Sequence, residues 1–440
     1  MSTHIRGGTV VTMNPRREVL QADVVIGDDG RIARITPHAS GPSDAKLTID
    51  ASGQIVIPGL IQAHLHLCQT LFRGLAEDRA LLQWLRERIW PLEAAHSPRS
   101  LRASALQGMA ELLTSGTTAV LDMGTVHHTD QLFIAAVESG IRYVGGQAMM
   151  DDGDDVPEVL RQTAADSLAE SDRLHAEWHG KANGRLRYAY APRFILSCSQ
   201  PLLHAVAGRS QQGAHVHTHA AEQQAELDAV RAQLGTDDIS YFDRIGLLGD
   251  RLTLAHGVWL ASDSIHRIAQ TGTHIAHCPA SNLKLASGLA PVSELRRAGA
   301  SVALGSDGAA CSNRLDIWTQ MSLAALVATV RDGPGAVSAL EVFEMATLGG
   351  AAALGLADQI GSIEVAKRGD LTIVNAPWDL PQTDVYTALV HSTSAADVSD
   401  VLVDGSQLVR RGELLTLDSQ RVAAASRAER TGLLDRVSFG

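Results

Sequence analysis

The feature that most constrains the fold is an alternation of short apolar runs with longer amphipathic stretches through the middle of the chain. The short runs predict β-strands, and the stretches between them, such as SPRSLRASALQGMAELLTSG, predict helices. Eight strands that alternate with helices over about 300 residues are typical of a (β/α)8 barrel, with a doubly wound sheet as the alternative. The predicted strands are Gln54–Pro58, Thr117–Met123, Ile141–Met149, Leu186–Ala191, Ala214–His219, Leu252–His256, His274–His277 and Ser301–Leu304.

The two ends of the chain have a different pattern. Segments such as ADVVIGDDGRIARITP near the start and GSIEVAKRGDLTIVN near the end alternate apolar and polar residues between turn residues, which predicts short strands. We therefore expect one small β domain built from both ends, with the barrel inserted between its halves. The predicted division is residues 1–55 and 361–415 for the β domain, 56–360 for the barrel, and 416–440 for a C-terminal helical extension.

Composition excludes several classes of protein. The net charge of −12 argues against a nucleic-acid partner, because a phosphate backbone binds basic surfaces. No apolar run approaches 18 residues, and MSTHIRGGTVV lacks the layout of a signal peptide, so we expect no membrane association. The four cysteines lie far apart, without a CxxC pair, which argues against a disulfide framework or a cysteine-built zinc site. Together these features predict a cytoplasmic protein.

Histidine and carboxylate side chains lie at the ends of several predicted strands, where barrel enzymes build their active sites. HxH and HxHxH spacings direct alternate side chains to one side of an extended chain, so that two imidazoles can bind one metal ion. One such pair alone is common without a metal, but the combination on strands one, five, six and eight is difficult to explain by packing. The residues on these four strands are His64, His66, His215, His217, His219, Glu222, His256 and Asp307, and His277 ends the seventh strand.

The combination of motifs resembles the amidohydrolase superfamily. The resemblance lies in PGLIQAHLHL, HTHAAE, HCPASNLKLASG, LGSDGAACSN and GSIEVAKRGDLTIVN, and it covers nearly the whole chain. The branch concerned contains cytosine, guanine, adenosine-type and S-adenosylhomocysteine deaminases and the s-triazine hydrolases. It implies a metal-binding (β/α)8 barrel with the terminal segments joined as a β-sandwich-like domain, and it implies a homo-oligomer.

The resemblance also assigns the residues of the metal site. It implies one divalent metal ion, because RYAYAPRFILS on the fourth strand lacks the lysine that binuclear relatives carboxylate. Imidazole and carboxylate ligands suit zinc, our first choice, and also iron. His215 and His217 match no ligand position, and we interpret them as packed or hydrogen-bonded. The implied ligands are His64, His66, His219 and Asp307.

Three side chains carry the expected chemistry. Metal-activated water would attack a ring carbon that bears an amino group, with Asp307 as the acceptor of the water proton. Glu222, three residues after His219, would protonate the neighbouring ring nitrogen. His256 would stabilise the developing oxyanion and the attacking hydroxide.

The substrate is less constrained. Trp84 and Glu93 lie in LLQWLRERIWPLEAAH, which resembles the loop of adenosine-type deaminases whose glutamate holds the ribose hydroxyls. Two other residues depart from that subgroup. Arg193 replaces a usual histidine, and Gln69 resembles the glutamine of guanine deaminases and triazine hydrolases. Arg193 and Gln69 could contact ring nitrogens or a carbonyl of the substrate.

We therefore expect a small purine-type substrate, and specifically an adenine nucleoside without a 5′-phosphate, such as 5′-deoxyadenosine or methylthioadenosine. Guanine deaminase and s-triazine amino- or chlorohydrolase remain alternatives, and a non-catalytic scaffold is the alternative of a different class. The sequence leaves open whether Ser281 and Asn282 cap a loop or contact the substrate. It also leaves open the roles of His277, His127 and His128.

Overall fold

The structure, a computed structural model, describes residues 2–38, 44–375 and 384–437 of the chain. The strands are β1 (Thr3–Val11), β2 (Val19–Ile26), β3 (Ile32–Pro37), β4 (Leu47–Asp50), β5 (Gln54–Pro58), β6 (Leu60–Leu65), β7 (Thr117–Met123), β8 (Arg142–Gly146), β9 (Ala148–Met149), β10 (Leu186–Pro192), β11 (His215–Ala220), β12 (Leu252–His256), β13 (His274–His277), β14 (Ser301–Leu304), β15 (Leu371–Asn375), β16 (Val398–Val403), β17 (Ser406–Arg410) and β18 (Glu413–Leu414).

Helices separate most of these strands, and a π-turn lies within two of the helical stretches, at Leu85–Ile89 and Met345–Gly349. The α-helices are Leu81–Trp84, Trp90–Ala94, Pro98–Thr114, Asp130–Ser139, Ala164–Trp178, Gln200–Gln211, Gln224–Leu234, Asp238–Arg244, Ser262–Thr271, Pro279–Lys284, Val292–Arg297, Ile317–Asp332, Ala339–Glu344, Gly350–Ala353, Val385–His391 and Ser419–Leu434.

The middle of the chain forms the predicted parallel barrel. Its strands are hydrogen-bonded in the order β14, β13, β12, β11, β10, β8, β7 and β6, with β9 beside β10. Asp307 N donates to His64 O at 3.2 Å, which brings the last strand against the first. A Cβ at Gly305 would lie 2.5 Å from that same oxygen, so this approach requires glycine. The sequential order of the strands confirms the barrel and excludes a doubly wound sheet.

The assignment of Gln54–Pro58 to the barrel was wrong. This strand, β5, pairs with β1 and with β15 in the second sheet, and the first barrel strand is β6, which follows directly after Gly59. The apolar run continues through Pro58-Gly59, so periodicity alone does not indicate that two strands of different sheets meet there. The predicted strand Ile141–Met149 is likewise two strands, β8 and β9.

Both ends of the chain contribute to the second sheet, as predicted. Its strand order is β18, β17, β16, β15, β5, β1, β2 and β3, with β4 beside β1. The completely buried Arg142 of β8 joins this sheet to the barrel. Its guanidinium contacts the Asp370 carboxylate through two hydrogen bonds of 2.8 and 2.9 Å and Asp404 through one of 2.6 Å. The exact division into 1–55, 56–360, 361–415 and 416–440 remains a prediction.

The helix Ser419–Leu434 follows the second sheet and packs against Pro98–Thr114 on the outside of the barrel. Asp418 caps it by accepting hydrogen bonds from Gln420 N and Arg421 N. The predicted extension 416–440 therefore contains a helix, and its last three residues lie outside the described part. Within the described residues, no helix has the length and apolar character needed to cross a membrane.

Candidate active site and metal centre

The carboxyl ends of the barrel strands bring the predicted ligands together. His64 and His66 lie at the end of β6, His219 on β11, and Asp307 directly after β14. All four side chains are buried. Alternation along β6 directs both of its histidines to one side, as the HxH spacing predicted.

The distances between these side chains fit a small divalent ion. The Nε2 atoms of His66 and His219 are 3.2 Å apart, and Asp307 Oδ1 lies 3.3 Å from His64 Nε2 and 3.4 Å from His66 Nε2. Zinc binds imidazole nitrogen at about 2.0–2.1 Å with tetrahedral geometry, which separates two ligand atoms by roughly 3.3 Å. These three separations suit ligands of one such ion, and His64, His66 and His219 each offer a nitrogen within 4.8 Å of the other two.

Hydrogen bonds on the other ring nitrogens orient the three imidazoles. His66 Nδ1 donates to Met123 O at 2.8 Å, and His219 Nδ1 donates to Arg193 O at 2.7 Å. His64 Nδ1 lies 2.8 Å from Nε2 of His217, which is therefore a hydrogen-bonded neighbour of the ligands. Each of these bonds leaves Nε2 free to bind a metal ion, as bonds of this kind do in metal sites.

The pKa shifts of these groups also favour the protonation states that metal ligands require. Burial lowers the pKa of His64 to about 3 and lowers the pKa values of His66 and His219, so all three rings are neutral at pH 7. Burial opposes ionisation of Asp307, but His64, His66 and His256 outweigh it and hold its pKa well below the usual value. Three neutral rings and one carboxylate form a suitable donor set for zinc or iron.

Ser281 belongs to the surroundings of this carboxylate. Its hydroxyl donates to Asp307 Oδ2 at 2.6 Å, and Gly308 N donates to Oδ1 at 2.7 Å. The Cys311 thiol also lies 3.0 Å from Oδ2. Ser281 therefore orients the proposed ligand.

Glu222 and His256 face each other beside the donor cluster. Glu222 Oε2 lies 3.4 Å from His256 Nε2, and both side chains are buried. Burial, with the nearby charge of Asp307, raises the pKa of Glu222 well above its usual value, which favours the protonated form of this carboxyl group. His256 Nδ1 donates to Asn282 Oδ1 at 2.9 Å, which leaves Nε2 as the free nitrogen.

Ser287 was missed by the sequence analysis. Its hydroxyl lies 3.5 Å from Glu222 Oε1, and its carbonyl accepts a hydrogen bond from Trp259 Nε1 at 2.7 Å. The signal was present in the quoted motif HCPASNLKLASG, whose last serine is Ser287, but its spacing alone does not indicate a contact with Glu222.

A cavity opens onto these groups. Of the predicted substrate residues, Trp84 and Arg193 line it, whereas Gln69 and Glu93 do not. Leu81, Leu85 and Phe194 add apolar side chains to a lining that also includes Glu222 and Asp307. The cavity thus combines polar, reactive groups with apolar side chains suited to a flat ring.

Gln69, Glu93 and Arg193 contact one another. Arg193 holds the Glu93 carboxylate through two contacts, Nη1 to Oε2 at 2.8 Å and Nη2 to Oε1 at 3.3 Å. Gln69 Nε2 donates to the same Oε1 at 3.0 Å. The Glu93 side chain is 0 % exposed, so Arg193 lies between this carboxylate and the cavity.

The other predicted histidines are not among the residues whose ligand atoms cluster. His215 begins β11, at the opposite end of the strand from His219, and a Cβ at Gly355 would lie 2.2 Å from its ring. His277 is buried at the end of β13, and neither ring nitrogen has a hydrogen-bond partner among the described residues. His127 Nε2 donates to Val159 O at 2.6 Å, and His128 lies beside it.

Comparison with known proteins agrees with this architecture. Residues 55–408 match the Amidohydrolase family. The chain belongs to the amidohydrolase family. It is 39 % identical over 419 residues to 5′-deoxyadenosine deaminase of Methanothermobacter thermautotrophicus, covering 93 % of this chain and 95 % of that protein. It is 37 % identical to 5-methylthioadenosine/S-adenosylhomocysteine deaminase of Halobacterium salinarum, covering 96 % of each.

Solved structures of other amidohydrolases have the same fold. An adenosine deaminase from Xanthomonas campestris with bound zinc is 32 % identical, with a TM-score of 0.90 and 98 % of each chain covered. E. coli guanine deaminase is 28 % identical, with a TM-score of 0.84, and 93 % of this chain and 100 % of that chain are covered. The predictions of the family, of its barrel fold and of a hydrolytic enzyme are confirmed.

Proposed function

We propose that this amidohydrolase is a metal-dependent deaminase of adenine nucleosides that lack a 5′-phosphate, of the 5′-deoxyadenosine, methylthioadenosine or S-adenosylhomocysteine type. The observation that carries the proposal is the buried Glu222 carboxyl group beside His256 and the donor cluster of His64, His66, His219 and Asp307, at a cavity that also has apolar lining. The substrate class is supported by the names of the relatives, which are deaminases of such nucleosides.

His64, His66, His219 and Asp307 are proposed to hold one divalent ion, zinc in preference to iron. The spacing of their ligand atoms supports one ion, and the zinc in the adenosine deaminase from Xanthomonas campestris supports the choice of metal. β10 carries no lysine for a second ion. Such an ion would lower the pKa of a bound water molecule towards neutrality.

Glu222 and Asp307 are proposed to transfer protons, and His256 to stabilise the attacking oxygen. Water oxygen bonds to the ring carbon that carries the amino group, while Glu222 gives its proton to the adjacent ring nitrogen. Asp307 accepts one proton of the water and passes it to the amino group, and the carbon–nitrogen bond breaks to release ammonia. The remaining hydroxyl proton returns to Glu222, which leaves a ring carbonyl. His256, held by Asn282, steadies the attacking oxygen through Nε2.

Glu93 and Trp84 are proposed as the substrate-binding pair for the nucleoside. Trp84 lines the cavity and can stack on the ring or pack against the sugar. A carboxylate is a good acceptor for two neighbouring hydroxyls, but Glu93 is held by Arg193. Ribose recognition therefore requires Arg193 to release at least one oxygen of Glu93 when the substrate binds.

That ion pair favours a second candidate, a deaminase of a free base that carries a carbonyl, such as guanine. Arg193 lines the cavity, and its guanidinium donates hydrogen bonds only, so it suits a carbonyl or an unprotonated ring nitrogen. Glu93 and Gln69 would then hold Arg193 in place and would not touch the substrate. A hydrolase that removes an amino group or chloride from an s-triazine is the corresponding alternative for a synthetic ring. The retained donor set and Glu222 argue against a non-catalytic scaffold.

Ammonia release by metal-loaded protein tests the proposal. The substrates are 5′-deoxyadenosine, methylthioadenosine, S-adenosylhomocysteine, adenosine, guanine and a chloro-s-triazine, with chloride measured in parallel for the last. We expect preference for the nucleosides. Because a charged hydrogen bond contributes about 1.5–3 kcal/mol, Glu93→Ala should raise KM for a nucleoside by roughly ten- to a hundredfold. Activity on guanine or the triazine alone would replace the nucleoside proposal with the second candidate.

Three further predictions accompany this proposal. A purine-type small molecule is the expected ligand, with no nucleic-acid or membrane partner. A homo-oligomeric state and a cytoplasmic location are expected from the resemblance and from composition, respectively. The oligomeric state is measurable by light scattering of the purified chain.

A further inference from the structure

The turn that carries Glu222 has an unfavourable backbone conformation. Ala221, between the end of β11 and Glu222, has a φ of +51°, in the left-handed region that side chains other than glycine rarely adopt. Such a conformation is unfavourable and persists only where neighbouring groups enforce it. The groups that enforce it here therefore determine where Glu222 lies.

Two buried carboxylates hold the three consecutive N–H groups of this turn. Ala221 N donates to Asp238 Oδ2 at 2.7 Å. Glu222 N and Gln223 N both donate to Glu226 Oε2, at 2.9 and 3.2 Å. Asp238 and Glu226 are each 1 % exposed.

The carbonyl side of the turn is fixed as well. Val258 N and Trp259 N both donate to Ala221 O at 2.9 Å. These residues follow β12, the strand that ends in His256. The turn is therefore hydrogen-bonded to the segment that follows His256. The position of Glu222 is thereby fixed relative to His256.

Helix capping does not explain Asp238. The helix Asp238–Arg244 is capped by the preceding residue, because Asp237 Oδ1 accepts a hydrogen bond from Ser240 N at 2.9 Å. Asp238 directs its carboxylate away from this role, across to Ala221. Burial raises the pKa of Asp238 to about 6, because the ionised carboxylate is destabilised at this place. The hydrogen bond from Ala221 N is the contact that compensates this destabilisation.

We propose that Asp238, together with Glu226, is a positioning residue for Glu222: by fixing the N–H groups of residues 221–223 it sets the reach of the Glu222 carboxyl group to the substrate nitrogen. This inference rests on the proposed role of Glu222. Proton transfer requires heavy atoms at hydrogen-bond distance, so a displacement of about 1 Å is sufficient to slow it markedly.

Asp238→Ala and its neighbour Asp237→Ala form a matched pair. We expect Asp238→Ala to lower kcat roughly 10- to 100-fold with KM within about twofold of wild type, because proton transfer is impaired and binding is not. Asp237→Ala removes a helix cap, which lowers stability slightly, and should leave kcat unchanged. Asp238→Asn retains an oxygen acceptor for Ala221 N and should recover most of the activity. Equal kcat values for Asp238→Ala and Asp237→Ala would overturn the proposal.

Coupling to Glu222 separates positioning from a general structural effect. In a Glu222→Gln background, Asp238→Ala should cause little further loss of kcat, since the group it positions no longer transfers a proton. A loss as large as in wild type would contradict the proposal. If Asp238→Ala does not fold, Glu226→Ala takes its place, with the exposed Asp228→Ala on the same helix as control.

Amide hydrogen exchange tests the same contact without any substrate. Asp238→Ala should speed exchange at Ala221, whose N–H it holds, by at least tenfold relative to wild type and to Asp237→Ala. Unchanged protection would overturn the proposal even in an inactive protein. The kinetic comparison uses whichever substrate the wild-type protein turns over, so a wrong substrate assignment appears in the wild-type panel and a wrong role for Asp238 appears only among the variants.

Discussion

The two halves of the candidate site are built differently. In the donor half, main-chain carbonyls fix two of the three ligand rings, Met123 O for His66 and Arg193 O for His219, and the His217 side chain contacts the third, His64. The substrate half consists of Glu93, Arg193 and Gln69, which are fixed by one another through side-chain contacts. Main-chain anchors belong to the fold and persist when side chains change, whereas a side-chain network changes with each member. The chemistry should therefore be robust and the substrate readily altered.

The largest expected effect is a loss of kcat in variants of the donor half. Measuring the metal content as well distinguishes metal binding from proton transfer. Asp307→Asn should lower kcat at least about 10³-fold and lower the metal content of the purified protein, because it removes a charged ligand and the acceptor of the water proton. Glu222→Gln is the matched control. It should lower kcat by about 10²- to 10⁴-fold with the metal content unchanged. Metal analysis of both proteins, together with the ammonia assay, tests this prediction. Retention of full metal by Asp307→Asn would contradict the role of Asp307 as a ligand.

The next effect tests whether the substrate half depends on mutual side-chain contacts. Arg193→Met leaves the Glu93 carboxylate buried and unpaired, which should cost about 3–5 kcal/mol of unfolding free energy. Adding Glu93→Gln should recover much of that loss, since no charge then remains buried. Urea unfolding of the single and double variants measures both. Additive losses would mean that the pair does not behave as a unit.

The difference between the donor half and the substrate half also explains which part of the site could be predicted from the sequence. HxH on one strand, HTHAAE on another and SDG after the last place side chains at a common edge by the period of strands and the order of a barrel, so the donor half follows from local patterns. Glu93 and Arg193 are 100 positions apart, and no local pattern indicates that they pair. The contact from Asp238 to Ala221 is also tertiary, and it belongs to no motif.

The misassigned strand has a related physical reason. Gln54–Pro58 and Leu60–Leu65 are both apolar and buried, so composition predicts strands in both cases. What separates them is the partner of each: β5 pairs with β1 and β15, whereas β6 pairs with β7. Pairing depends on chain segments more than 300 residues away, beyond the reach of periodicity. Ser281 and Asn282 were likewise left open because their contacts, to Asp307 and His256, lie on other strands.

The last predicted effect is a pH dependence of stability in the support of the donor half. Asp122, on β7, accepts hydrogen bonds from Leu67 N at 2.8 Å and from the Tyr143 hydroxyl at 2.7 Å, and thereby holds the segment after His66. Burial raises the pKa of Asp122 to about 7, against about 3.9 in an unfolded chain. Between these values the folded protein binds a proton that the unfolded chain does not, so this group's contribution to stability falls as pH rises.

Asp122→Asn cannot titrate, so its unfolding free energy relative to wild type should rise with pH across that window. The slope is at most about 1.4 kcal/mol per pH unit, and the difference should be flat below about pH 3 and above about pH 8. Urea unfolding at matched metal content measures it. Tyr143→Phe is the control, because it removes a donor that lowers the pKa of Asp122 and should extend the window to higher pH. A difference independent of pH would mean that Asp122 is ionised in the folded protein, with the two hydrogen bonds compensating its burial.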